Sequence, residues 1–293
     1  MDALTFVQLL LNAAALGAAY ALVALGFVLV INATGAVNFA HGDLVMAGGF
    51  LTVALAGVMP LPGIVLLPVV AALMAILGLV LSAAAYLPLQ NRPPVAIFIS
   101  TIAVGVMLQN GANAIFGAAP RGGPPLVGDD MLSLGGVVLD RQSAAVIAAA
   151  VVLLAATQIL LTHTQLGKRM RATAQDPEMA RALGVRTGRM VALTFALAAA
   201  LAGAAGLLLG NRYFVTPAEG GSLMLKAYIA VVIGGWGRIG GAVIGALLIA
   251  LFESVVAAFL SQPVAEAALY AVLLIVLFLR PGGILGEVEG RRA

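Results

Sequence analysis

An all-α bundle of about eight membrane spans with glycine-interrupted helices is the fold this sequence predicts, and three observations predict it. Apolar residues fill 62% and charged residues only 9% of 293 positions, whereas a water-soluble globule carries roughly 25% charge. Uncharged stretches of about twenty residues recur from end to end, each long enough for a hydrocarbon core about 30 Å thick. These runs are continuously apolar rather than alternating, which fits helices and not barrel strands. The chain reads as one membrane domain over residues 1–293, with an outer loop at 118–142, a charged loop at 163–189 and a polar tail at 281–293.

The spans fall near 6–31, 44–59, 62–89, 95–117, 143–162, 190–213, 223–258 with a break inside it, and 264–280. The first run is preceded by Asp2 and by no Lys or Arg, the first basic residue being Arg92. A secretory signal needs a positive start, so a retained span is expected here. After it, Asn32 to Asp43 breaks the apolar pattern with Gly35, Asn38, Phe39, His41, Gly42 and Asp43. An interrupted helix at membrane depth survives only where protein or a wet cavity receives its backbone groups. Asp43 at depth would cost about 2.5–3.5 kcal/mol, so it reads either as a pathway residue or as the cap of a helix starting at Leu44. The two readings are compatible.

Pro60, Pro62 and Pro68 frame an outer turn, and Asn91-Arg92-Pro93-Pro94 a sharp inner one. Gln109, Asn110 and Asn113 form a polar stripe along the fourth run. It either bonds a neighbouring helix or lines a pathway. Segment 118–142 carries Asp129, Asp130 and Asp140 among Gly and Pro. It reads as an outward loop with short strand or helix pieces, either solvated or a docking place for a partner. The span after the charged loop is crowded with Ala and Gly from Ala196 to Gly210, as expected of a helix interior to a bundle. Gly234, Gly235, Gly237, Gly240 and Gly241 interrupt the seventh run. Two interrupted runs in two halves of a chain point to a transport site at mid-membrane. Glu253 follows within an apolar helix, either bonded to a neighbouring span or on the pathway.

The charged loop orients the chain. Lys168, Arg169, Arg171, Arg181, Arg186 and Arg189 lie in it, six of fifteen basic residues. Short basic loops beside spans stay in the cytoplasm. Counting outward places Arg92, Arg238, Arg280, Arg291 and Arg292 on the same side, and Arg121, Arg141 and Arg212 on the other, with Lys226 unassigned. That gives an outer N-terminus and an inner C-terminus. Within the loop, Asp176 caps, Pro177 and Glu178 begin, and Gly184 ends a short surface helix from Pro177 to Leu183.

Several activities find no residues to carry them. No phosphate-binding P-loop is present, His41 and His163 belong to no zinc motif, and no nucleophile stands beside a base. Without cysteine there is no disulfide or thiolate site. No cofactor is expected, and nucleic-acid binding is a poor reading of the basic cluster. Asn32-Ala33-Thr34 matches the glycosylation pattern by chance.

Val37-Asn-Phe-Ala-His-Gly-Asp43, the loop from Arg171-Ala172 to Ala182-Leu183-Gly184, and Lys226-Ala227 followed by Gly234-Gly235, Gly237, Gly241-Ala242 and Gly245 together resemble one family. It is that of the permease subunits of bacterial ABC importers for branched-chain amino acids, in particular the member of the pair with an N-F-A-H-G-D segment. The ending Arg280-Pro-Gly-Gly-Ile-Leu-Gly286 is similar too, whereas Tyr228 stands where the family usually has Phe. The resemblance implies a non-catalytic, multi-pass inner-membrane chain that pairs with a second, different permease chain. It implies two cytoplasmic ATPase subunits and a periplasmic binding protein as further partners. Glu178, Ala180 and Gly184 resemble the E-A-A…G coupling loop, which makes Arg171, Asp176, Pro177, Arg181 and Leu183 its companions. Asn38, Phe39, His41, Gly42, Asp43, Gly234, Gly235, Gly237, Gly241 and Glu253 become pathway or broken-helix candidates. Urea or short amides are an alternative cargo. A self-sufficient secondary transporter or channel using Asp43 and Glu253 is the alternative of another class.

Overall fold

The computed structural model of the chain describes residues 3–127, 131–134, 137–280 and 282–284. Asp2, Asp129, Asp130, Pro281, Leu285, Gly286, Arg291 and Arg292 lie outside the described residues. The helices are α1 (Ala3–Thr34), α2 (His41–Val58), α3 (Gly63–Leu81), α4 (Pro94–Phe116), α5 (Arg141–His163), α6 (Gln165–Gln175), α7 (Pro177–Ala182), α8 (Thr187–Tyr213), α9 (Gly220–Gly234), α10 (Ile239–Phe259) and α11 (Gln262–Leu279). A π-helical turn and a 3-10 turn extend α3 to Leu89. Between α4 and α5, β1 (Met131–Leu134) and β2 (Val137–Asp140) form an antiparallel hairpin in the long loop. Among the described residues, eight helices are long and apolar enough to cross a membrane, which makes this a multi-pass membrane protein.

Segment 163–189 marks one end of the bundle, called the basic end. The last turn of α1 lies there with the α9–α10 turn, since Asn32 donates to the Gly237 carbonyl at 2.8 Å. Leu87 beside Gly188 brings in the turn carrying Arg92, and the Ile284 amide donates to the Ile233 carbonyl at 2.7 Å, fixing the chain after Arg280. At the opposite end Arg212 donates to Asn12 at 2.9 Å and pairs with Asp140 at 3.7 Å, while Arg121 and Val215 bridge.

α1 runs through the centre against α10, α8 and α5, and α3 lies along α8. The small residues of α8 allow the crossings expected of them. Gly203 and Gly206 receive the backbone of α2 at Gly48 and Gly49; a side chain at Gly48 or Gly206 would collide with the facing helix, one at Gly203 with Met74 of α3, and one at Gly49 with Val215. α1 is buried even more completely than α8, because its alanines at 13, 15, 18, 19, 21 and 24 admit helices on several sides.

Two crossings are discontinuous. His41, the first residue of α2, places Nε2 2.9 Å from the Val23 carbonyl, about three turns and so about 16 Å before α1 ends at Thr34. Residues 35–40 therefore double back into the bundle before α2 begins and runs to the opposite end. After α8, the chain turns inward past Val215, which touches Gly49, to Gly220 beside Asp43. There α9 begins and runs to the basic end. α2 and α9 thus start next to one another inside the protein and point to opposite ends, the arrangement of inverted half-helices.

The stretch 223–258 is a reversal rather than a single broken span. Gly234 meets Gly241 and Ala230 meets Gly245, so α9 and α10 are an antiparallel hairpin closed by Gly235 at φ 115° and Gly237 at φ 77°. Those angles favour glycine. The helix after α1 also starts earlier than Leu44. Asp43 lies in the first turn of α2 and does not cap it, because the chain becomes helical at His41.

Candidate functional site

At the basic end, two short helices lie between α5 and α8. Thr164 caps α6 by accepting from the Gly167 amide at 3.0 Å, and Gly167, Met170 and Thr173, spaced by three, turn inward. Asp176 caps α7 by accepting from the amides of Glu178 at 3.0 Å and Met179 at 2.9 Å, with Pro177 as first residue. Ala180 alone of α7 is buried, at 2% exposure. Glu178, Met179, Arg181 and Leu183 face outward with Arg171 of α6. The helix stops where the Val185 amide bonds the Ala180 carbonyl at 3.0 Å and Gly184 adopts φ 82°. The result is a rigid platform with apolar knobs among charges, seated by one small side chain.

Inside the bundle, α2 and α4 form a seam of side-chain pairs in the same order along both helices. Phe39 and Phe98 meet edge to face at 4.6 Å, and the Phe39 amide donates to Thr101 Oγ1 at 3.2 Å. Next, Gln109 Nε2 donates to Asp43 Oδ1 at 2.8 Å, and Gly105 lies against the same carboxylate. Phe50 and Phe116 stack at 4.8 Å towards the opposite end, in a cluster with Met46, Ala112 and Val215. Asn38 Oδ1 accepts from the Ala40 amide at 3.1 Å, which holds the bend before α2. Asn38 Nδ2 and His41 Nδ1 are buried without a partner among the described residues. Gly42 has no side chain because the backbone of Gly220 and Met224 occupies that space.

Glu253 stands apart from this seam. Its carboxylate accepts from Lys226 Nζ at 2.7 Å, Tyr20 Oη at 3.1 Å and Gln262 Nε2 at 2.6 Å. Lys226 also donates to Tyr20 Oη at 3.1 Å and pairs with Glu266 at 3.2 Å. The cluster ties α1, α9, α10 and α11 together. Gly234, Gly235, Gly237 and Gly241 form the tip of the α9–α10 hairpin at the basic end.

The candidates taken from the sequence thus separate into three groups: the platform, the segment 38–43, and the hairpin with Glu253. Reading the sequence missed α6, although its inward residues at three-residue spacing carried the signal. It also missed the partners of Glu253. A lone lysine and a lone acid on either side of one glycine break were the available sign of a pair. Among the described residues Asn110 donates only within its own helix, to the Val106 carbonyl at 2.8 Å, and its side chain is exposed in the single chain, as is that of Asn113.

Half-helices that meet inside a multi-pass bundle, beneath a capped platform at one end, are the construction of a membrane permease. The chain belongs to the family described as the branched-chain amino acid transport system permease component, which matches residues 9–279. It is 32% identical over 300 residues to the high-affinity branched-chain amino acid transport system permease protein LivH of Salmonella typhimurium, covering 98% of this chain and 97% of that one. BraD of Pseudomonas aeruginosa, a permease protein of the same description, is 31% identical over 97% of both chains. The autoinducer 2 import system permease protein LsrC of Escherichia coli is 36% identical over 35% of this chain and 31% of its own. No solved structure matches the chain.

Proposed function

We propose that this chain is the membrane-embedded permease subunit of an ATP-driven importer of branched-chain amino acids, a gate moved by an engine on another chain. The near full-length similarity to permeases of that description supports the cargo. The observation that carries the mechanism is the α6–α7 platform, held between α5 and α8 by Asp176, Ala180 and Gly184. Its basic character supports a cytoplasmic position. The outer N-terminus and inner C-terminus follow, with residues 118–142 outside and the tail 281–293 inside.

A cytoplasmic ATPase gripping Glu178, Met179, Arg181 and Leu183 would move α5, through α6, and α8, through the short turn 183–186, as rigid bodies. One ATPase serves each permease chain, a second permease closes the pathway, and a periplasmic binding protein delivers the cargo at the opposite end. The whole of residues 1–293 acts as one permease domain, with no catalytic group of its own. The pathway candidates divide accordingly: 38–43 beside the α2–α4 seam, and the glycine tip of the α9–α10 hairpin as a pivot. Glu253, already bonded to Lys226, Tyr20 and Gln262, supports the hairpin rather than an ion pathway of a self-sufficient transporter.

Ala180→Trp tests the platform. A large side chain has no room where Ala180 is 2% exposed, so α7 is pushed off its seat. The expected outcome is inserted protein whose uptake falls about tenfold or more while ATP hydrolysis continues. Uptake equal to that of the unsubstituted chain would count against the platform. Affinity purification from native membranes should also recover an ATPase, a second permease and an amino-acid-binding protein; recovery of the chain alone would not fit an importer subunit.

A further inference from the structure

Asp43 is buried to 5% exposure, and its sole hydrogen-bond partner among the described residues is the neutral amide of Gln109. No Lys or Arg pairs with it among them. The carboxylate lies between Gly105 of α4 and Gly220 at the start of α9, and a Cβ at either position would run into it. Beside it α9 starts without a side-chain cap, its first backbone bond being made by Leu223. Towards the basic end, the Phe39–Phe98 pair separates Asp43 from an open cleft of about 460 Å³ lined by Gly35, Ala36, Val37, Phe39, Val95 and Phe98. Towards the other end the seam is shut by Phe50 and Phe116.

We infer that Asp43 is the docking point for the α-ammonium group of an amino acid in passage, on the α2–α4 seam between the Phe39–Phe98 pair and the Phe50–Phe116 pair. The inference rests on the permease reading and adds the group that recognises the cargo. A carboxylate buried in a span and bonded by one neutral amide can accept charge-assisted hydrogen bonds from an ammonium. The uncapped amides at the start of α9 suit the carboxylate that the same zwitterion carries. The aromatic pairs suit its aliphatic side chain. Urea and short amides bring no cation, so Asp43 favours amino acids over them.

The test uses the complete importer, with its ATPases, second permease and binding protein, in proteoliposomes. Asp43→Asn keeps the size of the side chain and its bond to Gln109 but removes the charge. Leucine uptake is expected to fall about tenfold or more, with the assembled complex recovered in unchanged amount. Uptake by Asp43→Asn within about twofold of the unsubstituted complex would overturn the inference. So would uptake by the unsubstituted complex that requires a sodium or proton gradient, since Asp43 would then hold an inorganic cation. Should the unsubstituted complex import no amino acid with ATP, the permease reading itself fails.

Discussion

Asp43 on α2 and Glu253 on α10 are both carboxylates buried in apolar helices, and their surroundings are opposite. Glu253 meets a lysine, a tyrosine and an amide within 3.1 Å, whereas Asp43 meets one amide and two glycines. The first set answers both carboxylate oxygens from helices of the same chain. The second bonds only Oδ1, which also lies beside the start of α9, and leaves Oδ2 against Gly105 of α4. A buried charge with its partners present serves the fold; one without them points to a partner that comes and goes.

Removing one member of the satisfied set should have the largest effect on stability. Lys226→Met leaves Glu253 in the bundle without its nearest cation and is expected to cost about 3–5 kcal/mol, seen as a large drop in the melting temperature of the detergent-purified protein. Adding Glu253→Gln should recover part of that loss. If the double variant were no more stable than Lys226→Met, the pair would not be the clamp described here. Tyr20→Phe removes bonds to both Lys226 and Glu253 and should cost about 1 kcal/mol, with uptake retained in proportion to folded protein. Asp43→Asn should shift stability least, by less than about 1 kcal/mol, while losing transport. A melting loss like that of Lys226→Met would erase the distinction between the two acids.

Much of the fold was legible because lipid imposes simple rules. Apolar runs of sufficient length gave every long helix, and Asp176, Pro177 and Gly184 gave both ends of α7 to within a residue. The glycines at 234–241 marked the position of the reversal, but composition alone does not distinguish a kink from a turn. Only the facing of Gly234 with Gly241, and Ala230 with Gly245, does so. The site was less legible for a related reason. Hydrophobicity tells that Asp43 and Glu253 are costly, not who answers them, and their partners lie 66 and 27 residues away at Gln109 and Lys226. Phe39 stands out within its polar segment, but Phe98, Phe50 and Phe116 carry no sign of pairing until α2 and α4 are set side by side.

A passive gate does no transport by itself, and reconstitution measures this directly. Radiolabelled leucine uptake should be absent from liposomes holding this chain alone, with ATP or with an imposed ion gradient, and should appear on ATP addition once ATPase, second permease and binding protein are present. Leucine accumulation by the chain alone, driven by a sodium or proton gradient, would contradict it.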